Sequence, residues 1–121
     1  MILLDSSAWI EFLAGGAKAA RVEREMSRPG EILTPTVVLY EVYKKLKRDR
    51  GEEAALAAVA QLTQTRIIPL DEPAAISAAD ISLRYDLPMA DAMVAASAVA
   101  YGAKVLTMDS DFERVPWAEV I

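Results

Sequence analysis

The most constraining stretch of this chain is Leu87 to Phe112, LPMADAMVAASAVAYGAKVLTMDSDF. It predicts a helix that opens on an acid, then a tight turn, a buried strand and a second acidic cluster. Pro88 stands where a first-turn proline is tolerated, and Asp91 falls in the first turn, facing the positive end of the helix dipole. From Ala92 to Ala100 nearly every residue is small or aliphatic, so the helix can lie close to a sheet on more than one side. Gly102 ends it as a C′ glycine. Lys104 to Thr107 reads as a short central strand of a parallel sheet. Asp109 and Asp111 follow at its carboxyl end, the edge where open α/β sheets bind ligands.

The rest of the chain supplies partners for that strand. Ile2 to Leu4 predict a buried strand ending in Asp5, Ser6 and Ser7, followed by a helix with Trp9, Ile10, Phe12 and Leu13 that Gly15 and Gly16 close. Ala17 to Met26 predict a more polar helix, and Glu31 to Leu33 a short strand. Thr34 is expected to cap the next helix, with Pro35 in its first position. That helix carries Val38, Val42 and Leu46 on one stripe and ends in a basic run, Lys44 to Arg50. Glu52 to Thr63 predict an alanine-rich helix, Arg66 to Leu70 a strand, Asp71 to Tyr85 a helix, and Val115 to Ile121 a last, edge-placed strand. Alternating strands and helices imply an α/β fold, with a mostly parallel sheet of four to five strands flanked by helices. With 121 residues and no linker or repeat, 1–121 is expected to be one domain.

Composition narrows the chemistry. The chain has no cysteine and no histidine. That excludes disulfides, thiol nucleophiles and thiolate metal sites, and removes the usual general base. A bound metal must therefore be held by oxygen, which points to magnesium or manganese. The opening MILLD has neither the basic flank nor the apolar length of a signal peptide or membrane span, so a cytoplasmic protein is expected. An apolar fraction of 54% is high for a small soluble monomer and points to burial against a second chain. Net charge of −5 argues mildly against a broad nucleic-acid face.

Each acid has a plain structural use. Asp5 can cap the first helix, although Ser6 or Ser7 would serve as well. Glu41 borders the apolar stripe of its helix, and its position alone favours a surface pair with Lys45. Asp91 suits the helix dipole, yet it is embedded among small apolar residues where a solvated acid has little reason to be. Asp109 and Asp111 can be turn or cap residues, and Asp71 a helix cap. Taken together they say more. Asp5 and Asp109 both follow strands of a parallel sheet, and adjacent strands lie about 4.8 Å apart. Carboxylates gathered this way repel one another unless a cation neutralises them. A bound divalent metal is the simplest explanation.

These segments resemble the PIN-domain ribonucleases, and within them the VapC toxins of toxin–antitoxin pairs. The matching pieces are ILLDSSAWIEFL, the acid in LTPTVVLYEV, and DAMVAASAVAYGAKVLTMDSDF, in the family's order and over almost the whole chain. The resemblance implies a three-layer PIN-like fold and an acidic quartet of Asp5, Glu41, Asp91 and Asp109. It also implies supporting hydroxyls at Ser7 and Thr107, and a variable further acid at Asp111. It reverses the reading of Glu41 as a surface residue.

The implied activity is Mg²⁺- or Mn²⁺-dependent hydrolysis of RNA, with Asp5, Asp91 and Asp109 as metal ligands. Glu41 is then expected to bind a second metal or orient the attacking water. The implied partners are an RNA substrate, a cognate antitoxin and a second copy in a homodimer. Lys44, Lys45, Lys47 and Arg48 begin one turn beyond Glu41 and are candidate phosphate contacts, with a solvated helix end as the alternative. The aromatic and apolar residues of the first and third helices exceed what one small core needs, leaving some for an antitoxin groove or a dimer face. A receiver-like phosphoacceptor would want an acid pair after the first strand, and a dehalogenase-like phosphatase would want D-x-D there. Here Ser6 follows Asp5, and DSD comes late. The remaining alternative is a PIN-fold interaction module without activity.

Overall fold

In the computed structural model, which describes residues 1–121, five short strands run parallel in the order β3-β2-β1-β4-β5. They are β1 (Ile2–Leu4), β2 (Ile32–Pro35), β3 (Arg66–Ile68), β4 (Lys104–Thr107) and β5 (Ala118–Val120). Between them lie α1 (Ser6–Ala14), α2 (Ala19–Glu23), α3 (Thr36–Arg50), α4 (Glu52–Leu62), α5 (Glu72–Tyr85) and α6 (Met89–Ala100). The chain is α/β, as expected, and its sheet is parallel throughout. The acid-bearing strands are neighbours: β1 pairs β4 with Leu4 opposite Leu106. From β1 the chain continues outward to β2 and β3, whereas β4 and β5 lie on the other side. The order therefore reverses between β1 and β4, the switch point where open α/β sheets form their ligand crevice.

Apolar patterning accounts for the packing. Leu3 and Leu4 of β1, Val105 and Leu106 of β4, Val38 and Val42 of α3 and a run of small residues in α6 are buried in one continuous core. Alanines at 92, 95, 96 and 98 let α6 sit close to its neighbours. Gly102, at φ 63°, makes the left-handed turn that releases the chain from α6 into β4. Trp117 ties down the last strand. Its indole N–H donates to the Ala95 carbonyl oxygen at 3.0 Å, and its ring meets Tyr85 edge-on at 5.6 Å.

Two local readings change. Thr34 does not cap α3; it is buried within β2, and Pro35 holds the cap position. The Thr65 hydroxyl donates to the Leu62 carbonyl at 2.6 Å, so Thr34, 2.6 Å away, donates to Thr65. A buried hydroxyl needs a partner, and one on the β3 side outweighs the local capping preference. The polar segment after Gly16 forms only a short α2, followed by a 3-10 turn over Arg24–Ser27. Asp71 caps α5 through the Ala74 N–H at 2.9 Å, as expected.

Candidate active site

Asp5 leaves β1 at the switch point and is nearly inaccessible, with 4% of its surface exposed. It caps α1 while facing the crevice. One carboxylate oxygen, Oδ1, accepts from the Ser7 hydroxyl at 2.7 Å and the Ala8 N–H at 3.1 Å. The other, Oδ2, accepts from the Thr107 hydroxyl at 2.6 Å, across the β1–β4 pair. Burial pushes the Asp5 pKa up, these three donors pull it down, and the charge of Asp109 raises it again. A carboxylate has about four lone-pair sites, so three donors leave one free on Oδ2.

The hydroxyls are themselves held. Ser7 Oγ accepts the Met108 N–H at 2.9 Å, and Thr107 Oγ1 accepts the Asp109 N–H at 2.9 Å. The segment after β4 is thereby fastened to the capped first turn of α1 by the two hydroxyls that touch Asp5. Asp109 then caps a short 3-10 turn, its Oδ1 accepting from the Asp111 N–H at 2.9 Å. That curl brings Asp111 back toward α6. Asp91, Asp109 and Asp111 each present a carboxylate oxygen, all within 4.8 Å of one another. Asp5, expected as a ligand, lies outside that trio. Asp111, the least certain member from sequence, lies inside it.

Asp91 feels the whole group. Burial raises its pKa to about 7, followed by the charges of Asp109, Asp5, Glu41 and Asp111. Glu41, half-buried on α3, is also raised, first by burial and then by Asp5 and Asp109, with the Ser6 hydroxyl opposing. The surface pair expected with Lys45 does not form; Lys45 pairs with Asp49 at 3.4 Å. None of the eight ion pairs in the molecule includes Asp5, Glu41, Asp91, Asp109 or Asp111. Five carboxylates thus share one crevice with no internal cation. The donors are all oxygen and closely spaced, which fits a hard divalent ion such as Mg²⁺ or Mn²⁺.

The basic run lies beside this crevice on α3, where Lys44, Lys45, Lys47 and Arg48 are all exposed. Of the apolar and aromatic residues in excess on α1 and α3, Trp9 is fully buried, and Phe12, Leu13, Val37 and Tyr43 are partly buried against the core. Tyr40 remains on the surface.

Comparison with known proteins identifies the family. Residues 2–118 match the family model of the PIN domain. The ribonuclease VapC4 of Mycobacterium tuberculosis is 32% identical over 128 residues, covering 98% of this chain and 94% of that protein. The crystal structure of VapC20 from Mycobacterium tuberculosis, a toxin that cleaves the sarcin–ricin loop, is 27% identical and superposes with a TM-score of 0.81. That match covers 99% of this chain and 98% of VapC20. DNA-bound VapBC from Salmonella typhimurium shares the fold at 22% identity and a TM-score of 0.80, covering 100% of this chain and 98% of that one. A matching domain model across nearly the full chain, together with a VapC relative aligned over nearly all of both chains, assigns this protein to the PIN-domain family and to its VapC branch.

Proposed function

We propose that the protein is a metal-dependent endoribonuclease toxin whose site is the crevice between β1 and β4. The observation that carries the reading is the gathering of five carboxylates without a paired lysine or arginine. Asp91 and Asp109 would hold the ion, with Asp111 completing the close trio and Asp5 offering its one free lone pair. Bound there, a divalent cation would neutralise charge on the phosphate and acidify the attacking water. Glu41 stands on the opposite helix with a raised pKa, suited to orient that water and accept its proton. Water adds to phosphorus as one P–O ester bond breaks, and the leaving oxygen takes up a proton. Ser7 and Thr107 touch no substrate in this reading; they lock the Asp5 carboxylate and the Asp109 loop in one geometry.

Likeness to VapC ribonucleases and to a VapBC complex supports RNA as substrate, an antitoxin as inhibitor and a homodimeric assembly. An antitoxin that places a basic side chain among these acids would inhibit by occupying the position of the cation. The test is cleavage of structured RNA in Mn²⁺ or Mg²⁺. Activity lost in Asp5→Asn and Asp91→Asn proteins that still fold supports the assignment. Equal cleavage by both variants would trace the activity to a contaminant, and an inert parent would leave a PIN-fold interaction module.

A further inference from the structure

A shallow trough meets the acidic site at Glu41 and passes around the exposed side of α3. Three adjoining depressions compose it, of about 330, 270 and 530 Å³. The first is bordered by Ser7 and Met108, beside Asp5, and shares Ser6, Ile10 and Lys45 with the second. The second contains Glu41 and shares Tyr40, Lys44 and Arg48 with the third. Within it Glu41 lies beside Tyr40, Lys44, Lys45 and Arg48, so a site acid adjoins a cationic and aromatic lining.

Its aromatic side chains are prepared in a repeated way. Tyr40 is 60% exposed although it lies in mid-helix. One helical turn on, the Lys44 ammonium stands 5.5 Å from the centre of the Tyr40 ring and donates to its hydroxyl at 3.3 Å. Tyr43 and Lys47 repeat the pairing at 5.5 Å. Lys45 and Arg48 share Asp49, and Lys47 reaches Glu52, in exposed pairs of the kind worth little. Lys44 has no carboxylate partner; its ammonium donates to the Tyr40 hydroxyl instead. From Tyr40 to Arg48 the helix rises about 12 Å, room for roughly three nucleotides at about 3.4 Å per stacked base.

We propose that this trough is the track for a single-stranded RNA segment flanking the scissile phosphate, with Tyr40 as a base-stacking platform and Lys44 and Arg48 as phosphate contacts. It rests on the nuclease reading and adds how the substrate is held. Aromatic rings beside cations suit single-stranded nucleic acid because every base has a face to stack, whatever its sequence. The cations also favour an anionic strand over the basic segment expected to enter the acidic crevice. Tyr40 is a positioning residue, and its loss weakens binding more than turnover.

The experiment is fluorescence anisotropy of a 5′-labelled decauridine RNA with the intact protein in Ca²⁺, alongside cleavage kinetics on structured RNA in Mn²⁺. Tyr40→Ala is expected to weaken binding about tenfold and raise KM with kcat little changed, while Tyr40→Phe stays near the parent. Lys44→Gln is expected to lower the slope of log affinity against log salt by about 0.7. A parent that does not bind the RNA, or a Tyr40→Ala protein that binds it as tightly as the parent, overturns the track. Unchanged RNA affinity would leave Tyr40 to a protein partner or to solvent. Failure of the nuclease reading looks different: the oligonucleotide binds through Tyr40, yet no RNA is cut.

Discussion

The Thr107 hydroxyl donates to Asp5 across the β1–β4 pair at 2.6 Å while accepting the Asp109 N–H at 2.9 Å. One buried oxygen atom thus joins the first acid to the backbone of the last. Thr107→Val keeps the shape and removes both bonds, leaving a buried carboxylate oxygen and an amide unpaired. We expect a loss of about 1–3 kcal/mol in denaturant unfolding. Cleavage should fall with it, while Thr107→Ser keeps most of both. A Thr107→Val protein as stable and active as the parent would show that the hydroxyl does not organise the site.

Asp91 sets a pH dependence of stability. Its pKa is about 7 in the folded chain against an ordinary 3.8, so between those values the native state holds the extra proton. Its contribution is fully present below pH 3.8 and is lost as pH rises through 7. In metal-free buffer Asp91→Asn should therefore melt above the parent at pH 8, with the difference shrinking toward pH 4. Thermal unfolding across that range checks the sign. A variant less stable than the parent at pH 8 without metal would mean that Asp91 is satisfied by something other than a cation.

Divalent metal should reverse that order. An ion bound only by the native state stabilises by RT ln(1 + [L]/Kd). Millimolar Mg²⁺ should raise the melting temperature of the parent, with a smaller rise in Asp91→Asn and in Asp111→Asn. The Asp111 arm matters because its carboxylate belongs to the close trio. An equal rise in Asp111→Asn and the parent would return Asp111 to an ordinary turn residue.

Glu41 should separate chemistry from metal binding. It is coupled to Asp5 and Asp109 but stands apart from the trio. Glu41→Gln is expected to lower the cleavage rate by about 10²–10⁴-fold, the range for losing a positioned acid or base. The Mg²⁺-dependent thermal shift should remain larger than that of Asp91→Asn. Loss of the shift together with the rate would make Glu41 a metal ligand instead.

Much of this site is legible in the chain because a parallel sheet brings strand ends together. Asp5 and Asp109 each follow a strand by one or two residues, and β1 and β4 are neighbours at the switch point. Asp91 stands out because a charged residue in the tight small-residue face of α6 needs a reason. Glu41 was not legible from its own helix. Position alone suggested a Lys45 pair, and only the family resemblance pointed inward. Lys45 had a competing partner in Asp49, one turn farther on, and a single-helix rule cannot rank the two. Asp111 depended on a 3-10 turn, whose direction is set by the Asp109 cap. Thr34 misled because capping preference is local, whereas its partner Thr65 is 31 positions away.

The central claim is that these carboxylates form one pocket requiring a hard cation. Titration of the metal-free protein with Mn²⁺ at pH 8, followed by loss of the free-ion paramagnetic resonance signal, tests it most directly. The account predicts uptake by the parent that weakens at least tenfold in Asp91→Asn and weakens in the parent itself as pH falls below 7. Equal uptake by parent and variant, or none by the parent, would contradict it.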